Sequence, residues 1–105
     1  YYKITRRWVM DKLEKVSNPM IALHNARKWL GNVNLYISSD PDKKYMIINQ
    51  YGKHINFGDI NYEDYTYHRD KYRQRLYLSR SAGIKGDWKK DKYSPNNLSR
   101  EILWR

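Results

Sequence analysis

The sequence predicts a small α+β domain in which a three-stranded antiparallel sheet packs against helices. Three observations predict it. Apolar residues recur at helical spacing as far as Leu30, the period changes to two between Val33 and Phe57, and helical spacing returns after Asn61. The connections between the period-two runs are short, as neighbouring antiparallel strands require. A chain of 105 residues holds one domain. Within it, residues 1–30 read as a helical N-terminal extension and 31–105 as the core.

Residues 4–16 read as a helix. Val9, Leu13 and Val16 fall on one face, and Asp11 and Lys15 can pair across a turn. Asn18 then offers a side-chain cap, Pro19 suits the first helical position and Gly31 suits the stop, which predicts a helix over 19–30 with Ala22, Leu23, Ala26 and Leu30 as its apolar stripe. Val33, Leu35 and Ile37 alternate with polar or aromatic neighbours as in a half-buried strand. Asp40-Pro41-Asp42 reads as a turn, Lys44 to Tyr51 as the second strand, Gly52-Lys53 as a turn, and Lys53 to Phe57 as the third strand, ended by Gly58. The next helix falls within 62–82, with Asn61 (paired with Asp64), Thr66 and Asp70 as competing start points. Its expected inner face is Tyr65, Tyr72 and Leu76; Arg69, Arg73, Tyr77 and Arg80 form an adjacent stripe. Residues 83–93 read as a basic loop carrying Trp88. Ser94 as cap and Pro95 at the first position open a short last helix with Leu98 and Ile102 inward.

Composition bounds the function. The chain has no cysteine, which excludes a disulfide scaffold, a Cys-ligated zinc site and a thiol nucleophile. Eleven Tyr, four Trp and one Phe supply more ring surface than a disordered chain carries. No run approaches the length of a membrane span and no signal-peptide run occurs, so an intracellular rather than secreted setting is expected. The chain starts at Tyr1, as a fragment or a processed form would. The net charge is +10, from 21 Lys and Arg against 11 Asp and Glu, which favours an anionic partner. The excess is densest in 69–92, with nine basic and three acidic residues.

That stretch carries the functional expectation. Arg69, Arg73 and Arg80 recur at helical spacing, as several cations along a phosphate backbone require. Tyr77 within the stripe, and Trp88 among Lys85, Lys89 and Lys90, offer rings on which bases can stack. A non-enzymatic module binding nucleic acid through its phosphates, with little sequence specificity and with DNA ahead of RNA, is the leading expectation. A structural or assembly protein that binds acidic protein surfaces is the alternative. No metal site, cofactor or small-molecule substrate is expected: His24, His54 and His68 lack ligand spacing. A metal-dependent nuclease is the remote alternative, because Glu63, Asp64 and Asp70 could cluster, although acids at a helix start are explained by capping and the helix dipole. Lys3, Arg6, Arg7, Lys12 and Lys15 with Trp8 would suit an anionic lipid surface, but the apolar face beside them is small, which makes a membrane the weaker partner.

The order of short motifs adds a resemblance. Gly52-Lys53-x-Ile55-x-Phe57-Gly58 precedes Tyr62-Glu63-Asp64-Tyr65-Thr66-x-His68-x-Asp70; Arg73, Tyr77-Leu78 and Arg80 follow, then Gly86-Asp87-Trp88-Lys89, Tyr93-Ser94-Pro95-Asn96-Asn97-Leu98-Ser99 and Leu103-Trp104. Over about residues 30–104 this string resembles a family of short basic proteins of unknown function in large DNA viruses of protists, mimivirus-like and chlorovirus-like. Asn56 departs from it, standing where the resemblance expects His. The resemblance implies a viral setting, inside an infected cell or in the virion, and two jobs: binding the viral nucleic acid, or serving as a minor capsid component. It implies no catalytic residues.

Overall fold

The computed structural model describes residues 7–105. It contains α1 (Arg7–Glu14), α2 (Pro19–Leu30), β1 (Tyr36–Ile37), β2 (Lys43–Ile48), β3 (His54–Asp59), α3 (Tyr65–His68), α4 (Lys71–Ala82), a 3₁₀ turn (Trp88–Lys90), and α5 (Pro95–Leu98), which widens into a π-helical turn (Ser99–Leu103). The strands form one antiparallel sheet in the order β1-β2-β3, so the α+β architecture is the observed one. The start of the first expected helix, at residues 4–6, and the side chains of Trp8 and Val9 lie outside the described residues.

Local chemistry sets the helix ends. Asn18 accepts from the amides of Met20 and Ile21, Pro19 occupies the first turn, and Gly31 stops α2 with φ +89°, so α2 has the bounds its sequence predicts. Ser94 caps α5 in the same way through the amide of Asn97. The expected single helix within 62–82 is instead two. Asp64 caps α3 and Asp70 caps α4, and between them Arg69 adopts left-handed backbone with φ 55°. Of the expected start points Asp70 is used, while Asp64 rather than Asn61 caps α3; Arg69 ends α3 as a left-handed C-cap before Asp70 starts the next helix.

The first two strands are shorter than alternation suggests. Only Tyr36 and Ile37 pair in β1, although Leu35 and Ile37 are buried as predicted. β3 runs past Gly58 to Asp59, which lies opposite Lys43. Gly58 therefore bends the strand rather than ending it. Its φ is +82°, and a Cβ there would meet Leu103 Cδ1 at 2.7 Å, so both the conformation and the packing require glycine.

The core joins α1, α2, the sheet and the C-terminal helix. Leu13, Ala22 and Ala26 from the first two helices pack with Tyr45, Ile47 and Phe57 from the sheet and with Leu98, Ile102 and Leu103 from the C-terminal helix. Beneath α3 the core is polar but satisfied. Lys44 Nζ donates to Asp64 Oδ2 at 3.0 Å. Asp64 Oδ1 accepts from the amide and the hydroxyl of Thr66. Ser17 Oγ lies 3.1 Å from the Thr66 hydroxyl and 2.7 Å from the Tyr45 hydroxyl. This chain of bonds ties the α1–α2 linker, β2 and the start of α3 together. Burial pushes the Lys44 ammonium below the usual lysine range, with Asp64 partly offsetting it, and pushes the Tyr45 hydroxyl up.

Candidate functional site

Helix α4 lies on the molecule through Gln74, Tyr77, Leu78 and Ser81. Gln74 donates to the carbonyl of Trp104 at 2.8 Å. Arg100 donates to the Leu78 carbonyl and to Ser81 Oγ, both at 2.6 Å, and its guanidinium also stands 5.5 Å over the Trp88 ring. Arg100 thus fastens both the end of α4 and the following loop. The expected inner face is corrected: Tyr72 and Leu76 are exposed, at 65% and 44%. The break at Arg69 rotates α4 away from a straight continuation of α3, so Tyr65 and Tyr72 do not share a helix face.

The predicted site residues separate into three groups. Arg73, Tyr77 and Arg80 line one cleft beside α4. Arg69 leaves the expected stripe because it is the cap between helices; its guanidinium lies 4.2 Å over the Tyr65 ring. Lys85, Trp88, Lys89 and Lys90 lie in the loop after α4, with the lysines exposed and Trp88 half-buried. Trp88 donates its indole N–H to the Ile84 carbonyl at 2.6 Å, and its own carbonyl accepts from Ser94 and Asn97. Tyr77 is stacked on Trp104, with ring centroids 4.2 Å apart and planes 7° from parallel. Burial raises the pKa of its hydroxyl, and a hydrogen bond with Ser99 partly offsets this.

The cleft has a volume of about 740 Å³. Leu76 and Tyr77 from α4, Phe57 from β3, Leu103 and Trp104 from the C-terminal helix, and Tyr62 give it apolar walls; Lys43, Asp59, Glu63, Arg73, Arg80 and Asn96 give it polar ones. Arg73 pairs with Glu63 at 3.0 Å, joining α4 to the loop before α3. His68 supports the wall from behind, its ring 5.3 Å from that of Trp104. Its Nδ1 accepts the Asp70 amide, while Nε2 is buried with no hydrogen-bond partner among the described residues. Desolvation, and then the charge of Arg73, hold His68 below the usual histidine pKa.

The acids named for a nuclease have local roles. Asp64 and Asp70 cap helices, and Glu63 pairs with Arg73. No three His, Asp or Glu side chains converge among the described residues. Asn56, where the resemblance expects histidine, accepts a hydrogen bond from Ser38 Oγ at 2.7 Å and ties β3 to the end of β1.

Sequence reasoning missed Lys43, Asn96 and Arg100 as parts of these surfaces. Nothing in periodicity marks them, because they meet α4 only in space. Trp104 was visible as part of the motif string and reads there as an anchor, which it is, but its ring also forms a cleft wall. The stretch Val33–Ser81, which holds the sheet, α3 and nearly all of α4, is similar to known sequences, whereas the Trp88 loop and α5 lie outside that similarity. No curated protein and no solved structure matches the chain. Residues 33–81 match the model of a family of unknown function (DUF5754).

Proposed function

We propose that this protein is a non-enzymatic basic module that binds nucleic acid through its phosphates, using α4 and the loop after it. The observation that carries this reading is the pairing of charge in 69–92. Of the nine basic residues there, Arg73 alone forms an ion pair among the described residues. Arg69 and Lys71 stand over the Tyr65 ring, Lys89 over Trp88 and Lys92 over Trp29. Asp70 and Asp91 are engaged by backbone amides. Cations that the fold leaves without carboxylates are available to a polyanion, and releasing that polyanion's counterions drives binding. Arg73, Arg80, Lys85, Lys89 and Lys90 would meet phosphates, as would Arg69 at the helix break. Trp88 reaches a base only with the open part of its ring, and Tyr77 only through the cleft.

The motif string supports a viral setting, with DNA as the first nucleic acid to test and the infected cell or virion as the location. Exposed Tyr72, Leu76 and Ile84 on the same segment support a second reading, a virion assembly protein that docks an acidic protein surface. A fluorescence-anisotropy titration with DNA and RNA at two salt concentrations tests the first reading. Affinity should fall steeply with salt, and the double charge reversal Lys89→Glu/Lys90→Glu should flatten the slope of log K against log salt by roughly 0.7–0.9 per lost phosphate contact. Absence of binding at low salt would reject it. The second reading requires the protein in purified particles at fixed stoichiometry, measured by mass spectrometry.

A further inference from the structure

We propose that the cleft beside α4 seats one nucleoside monophosphate unit, with its base against the wall made by Tyr77 and Trp104 and its phosphate on Arg80 and Lys43. For a unit within a strand this rests on the reading above; for a free nucleotide it stands alone. The volume of about 740 Å³ lies in the range of small-molecule sites, roughly 300–1,000 Å³. Tyr77 and Trp104 already lie face to face, held by the Gln74 bond to the Trp104 carbonyl, so a base would extend that stack on an outer ring face. A rigid ring wall suits any base, because every base has a π face.

The polar groups of the cleft specify the rest. Both acids are engaged: Glu63 by Arg73, and Asp59 by the amide and side chain of Asn61. Arg80 and Lys43 form no ion pair among the described residues. Asn96 donates to the Ser81 carbonyl through Nδ2, which leaves its Oδ1 to accept from a base N–H. A flat apolar wall, two unneutralised cations and one amide acceptor are the complement of a base bearing a phosphate. A base inside a duplex is stacked and paired and enters only if it is flipped out, at the cost of unstacking and unpairing it, so the cleft favours a single strand.

The test uses the full chain with three labelled strands: short oligothymidylate, its duplex with oligoadenylate, and an abasic strand of equal length. Thymidine monophosphate is added separately, with binding read from tryptophan fluorescence. The single strand should bind about tenfold or more tightly than the duplex or the abasic strand. Arg80→Gln should weaken binding of the mononucleotide, whereas the charge-matched Lys53→Gln on the β2–β3 turn should not. Trp104→Leu, checked for folding by circular dichroism, should erase the preference for the single strand. Equal binding of all three strands, with no response to the mononucleotide, would overturn the cleft proposal and leave phosphate binding standing. Mononucleotide binding that Arg80→Gln abolishes, with no strand bound, would support the cleft as a free-nucleotide site and reject the polymer reading. Neither ligand binding would overturn both.

Discussion

Two ion pairs of the same length teach different things. Lys44–Asp64 and Arg73–Glu63 both span 3.0 Å, but the first has side-chain exposures of 2% and 0% and the second 44% and 40%. The buried pair sits in a closed network with Thr66, Ser17 and Tyr45, where every bond substitutes for lost water. The exposed pair lies at the cleft, where water and salt screen it and where a ligand can compete for Arg73. Charge inside this protein is structural, and charge along α4 is left available. Each pair joins one cation to one carboxylate at the same distance, and what separates them most is burial.

The comparison is broken most severely at Lys44. Lys44→Met should strand the Asp64 carboxylate in the core and cost about 3–5 kcal/mol in chemical denaturation. The double change Lys44→Met/Asp64→Asn should recover part of that, and no recovery would mean that the pair is not the coupled unit described. Next comes Gly58→Ala, which combines a positive φ with the contact to Leu103 and should cost roughly 1–3 kcal/mol. A loss far below this would show that β3 and Leu103 can yield.

A pH series sharpens the same contrast at the cleft's supporting wall. His68 has a folded pKa below its ordinary value of 6.5, so the folded state prefers it neutral. Its contribution is complete above about pH 6.5 and declines as pH falls from there toward the folded pKa. The melting temperature should drop between pH 7.5 and 5.5, and His68→Gln should flatten that drop while His24→Gln, on an exposed position, leaves it unchanged. The smallest effect belongs to the exposed pair. Glu63→Gln should change stability by about 0–1 kcal/mol in the same denaturation assay. It should also strengthen phosphate binding slightly by freeing Arg73, measured as a modest rise in affinity for DNA at low salt. A loss comparable to that of Lys44→Met would remove the contrast between the two pairs.

Much of the fold was legible in short-range chemistry. Asn18-Pro19 and Gly31 bound α2, Ser94-Pro95 opens α5, and the alternation around Leu35 and Ile37 marks the buried side of that segment, because capping, proline geometry and strand pleat act within a few residues. The split at Arg69 was not legible. Asn61 with Asp64, Thr66 and Asp70 each look like the single start of one helix, and a left-handed arginine carries no sequence mark. The burial of Tyr77 in place of Tyr72 follows from that split. The cleft was legible only in part: Arg73, Tyr77 and Arg80 came from helical spacing, whereas Lys43, Asn96 and Trp104 come from elements distant in sequence.

By itself the sequence determined the α+β class, both ends of α2, the start of α5, the charge excess of +10 and its concentration in 69–92, since all of these follow from composition and local spacing. Only the tertiary structure decided which charges are neutralised and which rings are engaged. Those outcomes depend on contacts between residues as far apart as Lys44 and Asp64 or Tyr77 and Trp104. Burial and ion pairing are properties of neighbours in space, and packing brings those neighbours together.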